Sequence, residues 1–316
     1  MIFLLIFVLS YFLVLVSMPI FIKIAKKIKF VDIPTKRKNH KNPIPLVGGL
    51  CMYSIFSLCY IIFLGLNNLK HVSILIGASI VFLVGLIDDY YKSKKNEFSI
   101  LIRASAQILS AIILFLSGIK FTGFLIPFTK KYILFPGYIQ FLLTIFWVFG
   151  VTTVINFSDG LDGLAGGLTC ISSTTFFLTA IIKNQNDSAI IAVLIFSISL
   201  AFLKYNFYPA KVFMGDSGAC FLGYILAVIS LHGAFKQATL ISIFIPVLAI
   251  GIPIFDNISV IIKRFLNKKP IHKADNTQIH YRLLESGMNT KQTVKYLFLM
   301  TVCLNLTSII ILLLKV

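Results

Sequence analysis

Long apolar runs follow one another along the chain, each broken by a short polar or basic stretch. Runs long enough to cross a bilayer lie at roughly 2–22, 47–66, 72–87, 98–118, 139–157, 164–182, 188–203, 219–235, 238–257 and 294–314. This pattern predicts about ten helices in an all-α integral membrane fold, residues 1–316 forming one polytopic unit. The first run has its basic residues (Lys23, Lys26, Lys27) after the apolar core and no small-residue cleavage site, which predicts a retained span. The segment 119–138 is rich in Gly, Pro, Lys and aromatics and reads as a loop carrying a short hairpin.

Composition agrees. The chain is 58% hydrophobic and 13% charged, with a mean hydropathy of +0.94, too little polar surface for a soluble domain of this length. The net charge of +18 fits anionic membrane lipids and the bias of basic residues toward the cytoplasm, and argues against nucleic acid. Alternating the loops puts 23–46, 88–97, 158–163, 204–218 and 258–293 on one side. With Arg103 and Lys295, just inside the neighbouring helices, that side holds 22 of the 29 Lys and Arg, so it is expected in the cytoplasm, with both termini outside. The five cysteines fall in apolar runs without a CxxC pair and read as small hydrophobes.

The acids change the picture. Of eleven Asp and Glu, only Asp187 falls on the exterior side. The others gather near the opposite helix ends, where a carboxylate is a functional candidate by default. LIDDYYK places Asp88 and Lys92 four residues apart on a helix, with Asp89 turned about 100° away. In INFSDGLDGLAGG, continued helical geometry puts Asn156, Asp159, Asp162 and Gly163 within an arc of about 120°. There the carboxylates offer oxygen ligands, and the glycines give either a packing face or room for a bulky ligand. KVFMGDSGACFLG sets Asp216 at the start of the next run, either as a helix cap or as a metal ligand. KKPIHKADNTQIHYRLLESG carries His272, Lys273, His280 and Arg282, suited to phosphate or sugar hydroxyls, or to a solvated surface. VDIPTKRKNHKNPIPLVGG, with Lys41, suits anionic lipid or phosphate, or only the charge bias. Carboxylates with room for Mg²⁺ beside basic loops point to metal-assisted chemistry on a phosphate substrate.

These five motifs, in this order and over essentially the whole chain, resemble the polyprenyl-phosphate N-acetylhexosamine-1-phosphate transferase family. The resemblance implies ten or eleven helices around a cytoplasmic cleft in the bacterial cytoplasmic membrane. It implies transfer of sugar-1-phosphate from a UDP-N-acetylhexosamine, first UDP-GlcNAc, to undecaprenyl phosphate, with release of UMP. Carried over by motif, Asn156 and Asp216 hold Mg²⁺, with Mn²⁺ as an alternative. Asp88, Asp89, Lys92 and His280 form the catalytic set, with Asp88 the base. Asp159, Asp162, Lys41 and Arg282 bind substrate. Membrane lipids are the surrounding partners, and a homodimer is compatible with this reading. The chain departs from the family pattern at Thr153, where a second Asn is frequent, and at Asn276, Gln278 and Tyr281, where Lys or Arg and two histidines are common. A secondary transporter and a muramoyl-pentapeptide-type phosphotransferase are the alternatives. One-sided acids and the lack of a visible repeat weigh against the first, and the lack of a triple histidine against the second.

Overall fold

The computed structural model describes residues 1–33, 42–125, 131–234, 244–267 and 277–314. Among them the fold is helical apart from two small antiparallel hairpins. The first pairs β1 (Val31–Asp32) with β2 (Ile44–Pro45), and the second pairs β3 (Gly123–Leu125) with β4 (Tyr132–Leu134). The second is the hairpin expected between 119 and 138.

Among the described residues, seven helices are long and apolar enough to cross a membrane. They are α1 (Ile2–Lys27), α3 (Leu69–Ser93), α5 (Gly137–Phe157), α6 (Leu164–Ile182), α7 (Asn186–Asn206), α8 (Gly215–Ile229, continued by a π-turn at Ser230–Ala234) and α12 (Thr290–Leu313). Two further apolar helices, α2 (Gly48–Leu64) and α4 (Ile100–Leu116), have 17 residues each. At 1.5 Å per residue they span about 25 Å, a little short of a bilayer core of about 30 Å. The protein is therefore an integral membrane protein, with seven helices of clear spanning pattern among the described residues.

Of the run expected at 238–257 the structure describes the part from Phe244 on, which forms α9 (Phe244–Ala249), breaks at Ile250, and continues as α10 (Gly251–Leu266), nine residues beyond the expected end. Proline explains the break. Pro253 has no N–H to give the Ala249 carbonyl four residues earlier. Ser172 Oγ (2.6 Å) and Asn305 Nδ2 (3.2 Å) donate to that carbonyl instead, from α6 and α12. Such replacement is what lets a helix break inside a membrane protein.

Helix α8 is the buried centre, packed by α2, α3, α5 and α7. Small residues let the backbones meet. A side chain at Gly49 of α2 would strike Gly218 of α8, one at Gly85 of α3 would strike Ser217, and one at Gly223 would strike Thr152 of α5. These contacts bring the C-terminal end of α3 against the N-terminal end of α8. At the opposite end of α3, His71 Nε2 meets Asp187 at 3.2 Å.

Candidate active site

The site grows from the start of α8. Asp89 Oδ1 accepts the Asp216 N–H (2.8 Å), while Oδ2 accepts the Ser217 N–H (3.1 Å) and hydroxyl (2.6 Å). A carboxylate of α3 thus satisfies the first amides of α8 and faces its positive end. Asp216 is not the cap at that helix start; Asp89, only 1% exposed, has that task. Gly215 takes φ +73° directly before Asp216, and a Cβ there would run into the Asp89 carboxylate. Glycine is required for the approach.

Asp216 is thereby held out toward two cations. Lys92 Nζ lies 2.5 Å from its Oδ2 and Arg103 Nη1 3.1 Å from the same oxygen. Both reach Asp88 Oδ2 as well, Lys92 at 3.3 Å and Arg103 at 3.0 Å. The Asp88–Lys92 spacing is as the helix dictates. The carboxylate end of the pair is buried, Asp88 being 1% exposed, while Lys92 stays partly exposed. Two carboxylates and two cations from α3, α4 and α8 share one point. Arg103 was counted in the sequence only as a basic residue near the membrane edge. Its signal was available: an arginine inside an apolar helix, at the depth of the acids, calls for an acidic partner.

The INFSDGLDGLAGG stretch is not one continuous helix. Helix α5 stops at Phe157, Ser158 donates its hydroxyl back to Val154 (2.8 Å), and α6 starts after Gly163 at φ +79°. Helix α5 ends before Asp159 and residues 158–163 form turns, so the common arc that continued helical geometry predicted for Asn156, Asp159 and Asp162 is not kept. They line an elbow instead. Asn156 sits on the last turn of α5, and its amide makes no hydrogen bond among the described residues. Asp162 Oδ2 accepts the Ala210 N–H (2.9 Å), and Asn206 Oδ1 accepts the Gly163 N–H (2.9 Å). The first ties the elbow to the strap 207–214, which leads into Asp216, and the second ties it to the last residue of α7. Asp159 has no hydrogen bond or ion pair among the described residues. Burial, then the charges of Asp216, Asp89 and Asp162, holds its carboxyl well above the usual carboxylate range. Thr153 hydrogen-bonds Gln107 Oε1 (3.1 Å), a use for the position where the resemblance led one to expect Asn.

His280 and Arg282 stand on α11 (Ile279–Glu285), held by Asp256 of α10. Asp256 Oδ1 accepts the Ile279 N–H (2.8 Å) and lies 3.5 Å from Arg282 Nη2. His280 is 2% exposed, its Nε2 unpartnered and facing Gly160 of the elbow. Burial pulls its pKa down to about 4, so the ring is neutral. Lys41, His272, Lys273 and Asn276 lie outside the described residues.

A polytopic helical membrane protein with acids and cations converging at one end of its helices is the class that handles a charged, phosphate-bearing substrate at a membrane face. Sequence comparison agrees: the Glycosyl transferase family 4 profile matches residues 71–234. A Bacillus subtilis (strain 168) protein described as a probable undecaprenyl-phosphate N-acetylglucosaminyl 1-phosphate transferase is 37% identical over 308 residues, covering 96% of this chain and 84% of its own length. The undecaprenyl-phosphate alpha-N-acetylglucosaminyl 1-phosphate transferase of Escherichia coli (strain K12) is 27% identical, over 85% of this chain and 73% of its own. A decaprenyl-phosphate N-acetylglucosaminephosphotransferase of Mycobacterium leprae (strain TN) is 28% identical, over 87% and 75%. The chain belongs to glycosyl transferase family 4.

Proposed function

We propose that this enzyme transfers N-acetylhexosamine-1-phosphate, GlcNAc-1-phosphate first, from a UDP-sugar to undecaprenyl phosphate, releasing UMP and starting a cell-envelope glycan. The observation that carries this is the meeting of Asp88, Asp216, Lys92 and Arg103, in a family whose named relatives act on polyprenyl phosphates. An oxygen of the lipid phosphate attacks the β-phosphorus of the donor, and the bond from that phosphorus to the α-bridging oxygen breaks. Asp88 takes the proton of a monoprotonated acceptor. Since the second pKa of a phosphate is about 6, that demands little base strength. Lys92 and Arg103 neutralise charge on the phosphoryl oxygens. The elbow, with Asp159 and Asp162, receives the nucleotide, and Arg282 and Lys41 meet its phosphates. His280 supports the elbow from beneath through Gly160.

Mg²⁺ fits the donor set. Asp88, Asp89, Asp159 and Asp216 carry four negative charges against the two positive charges of Lys92 and Arg103 when all are ionised. A dianionic phosphate entering such a cluster is repelled unless a divalent cation enters with it. Mg²⁺ is usually held by one or two carboxylates plus substrate phosphate, so a full cage of protein ligands is not required. Asp216 and the unengaged amide of Asn156 would hold it, Mn²⁺ substituting. Bound there, it would offset charge on the diphosphate.

The basic bias supports placing this face in the cytoplasm and both termini outside, in the bacterial cytoplasmic membrane. Purified protein with undecaprenyl phosphate, Mg²⁺ and a panel of UDP-sugars should release UMP. Asp216→Asn and chelation by EDTA should each abolish that release. No UMP from any N-acetylhexosamine donor would sink the assignment.

A further inference from the structure

On the α1 side of the strap lies a cavity of about 370 Å³. Its walls include Pro19, Ile22 and Lys26 of α1, Asn42 beside the first hairpin, Tyr205 of α7 and Lys211 of the strap. Pro19 cannot donate to the Leu15 carbonyl. The Tyr205 hydroxyl does so instead, at 2.9 Å, and so clamps the end of α7 to α1 beside the cavity. Lys26 and Lys211 are both exposed, and neither has an acidic partner among the described residues. Two ammonium groups on one cavity repel each other unless an anion lies between them. Toward the membrane, the face of α1 that carries Lys26 continues through Ile22, Pro19, Leu15, Phe12 and Val8 at alternating four- and three-residue spacing, an apolar ridge on which Phe12 and Val8 are exposed. The chemistry is a phosphate at one end and hydrocarbon at the other.

We propose that this cavity binds the phosphate of an acidic bilayer phospholipid between Lys26 and Lys211, with its acyl chains along the α1 ridge. The occupant is a structural lipid and not the acceptor, whose phosphate has to reach Asp88 and Asp216 beyond the strap. The site also bears on the reaction centre. Ala210, next to Lys211, holds Asp162 through its N–H, so a headgroup seated on Lys211 steadies the strap that carries the elbow.

The test uses the full chain in phosphatidylcholine nanodiscs doped with phosphatidylglycerol. Native mass spectrometry after partial delipidation reads retained lipid, and thermal unfolding reads the half-saturating phosphatidylglycerol fraction. Neither readout needs turnover, so failure here is distinct from failure of the transferase assignment. Wild type should retain a single phosphatidylglycerol. Lys26→Gln with Lys211→Gln should raise the half-saturating fraction about tenfold, since each basic residue near an anionic surface contributes appreciably. The paired Lys→Arg variant should stay close to wild type, and Lys70→Gln, at the far end of α3, should change nothing. The single Lys→Gln variants each carry part of the shift, which keeps the test readable if the double variant fails to fold. Equal retention by the paired Lys→Gln variant would overturn the proposal. So would displacement by equimolar undecaprenyl phosphate, or equal stabilisation by millimolar inorganic phosphate in discs of phosphatidylcholine alone.

Discussion

Replacing Asp89 with asparagine exchanges one oxygen for an amide nitrogen and should unseat the start of α8. The carboxylate accepts from three donors, the Asp216 N–H, the Ser217 N–H and the Ser217 hydroxyl, at 2.8, 3.1 and 2.6 Å. Asparagine keeps a single acceptor oxygen, so its NH₂ must face one of the two backbone amides. The Ser217 hydroxyl can rotate and accept from that NH₂, but a backbone N–H cannot. At least one charge-assisted bond is lost, at about 1.5–3 kcal/mol, and one buried amide is left without a partner, at about 1–3 kcal/mol. Together these come to about 2–5 kcal/mol, below the simple sum because loss of the charge at the helix N-terminus overlaps the first figure. The measurement is unfolding of purified protein in one fixed lipid, set beside UMP release. Asp89→Asn should lower stability and turnover together. An Asp89→Asn protein that unfolds at the wild-type midpoint yet turns over nothing would refute the cap and restore Asp89 as a chemical group.

Arg103→Met leaves Asp88 with Lys92 alone and should cut kcat/KM by about 10²–10³-fold, the usual effect of losing one preorganised charge-stabilising group. Arg103→Lys should recover part of it, and an unchanged kcat/KM for Arg103→Met would remove the residue from the site. His280 gives a pH dependence. Its pKa is about 4 folded against the ordinary 6.5, so between those values the unfolded chain binds the extra proton. Its contribution to stability is complete above about pH 6.5 and is lost as the pH falls toward 4, reaching about 3 kcal/mol. His280→Gln should flatten that part of the stability–pH curve, and a difference curve with no slope there would show that the ring is not buried as a neutral base.

Features that act within one helix were legible in the sequence, and features that act between helices were not. Asp88 and Lys92 meet because they are four residues apart, and the pattern of apolar runs located most helices to within a few residues. Asp89 points away from Asp88 for the same reason, but nothing in LIDDYYK says that it caps a helix starting 126 residues after it, at Gly215. Arg103 reaches Asp216 only because Gly85 lets α3 press on α8. The elbow at 158–163 could have been anticipated from Gly163, since glycine after a polar turn marks a helix boundary. The break before α10 could have been anticipated from Pro253, but apolar length outweighed that single residue. Helical projection failed in INFSDGLDGLAGG because the helix ends at Phe157, ahead of both aspartates, and the turns at 158–163 set their directions instead.

The same contacts bear on whether Asp88 attacks the donor itself. In a two-step route its carboxylate oxygen would bond to the β-phosphorus, expel UMP, and then be displaced by the lipid phosphate. Asp88 Oδ2 is already shared by Arg103 at 3.0 Å and Lys92 at 3.3 Å, and the side chain is almost wholly buried. Both cations draw electron density from the oxygen that would attack, and any movement toward a phosphorus breaks two ion pairs inside the protein, which is costly. Taking a proton asks for much less, since the carboxylate stays where it is and the acceptor phosphate is already close to fully ionised near neutral pH. Direct attack by the lipid phosphate is therefore expected. Without acceptor, the enzyme should release no UMP, not even one equivalent in a rapid-quench experiment, and intact-mass measurement should find no sugar-phosphate on the chain. A stoichiometric burst of UMP without acceptor, absent in Asp88→Asn, would reverse the order of events.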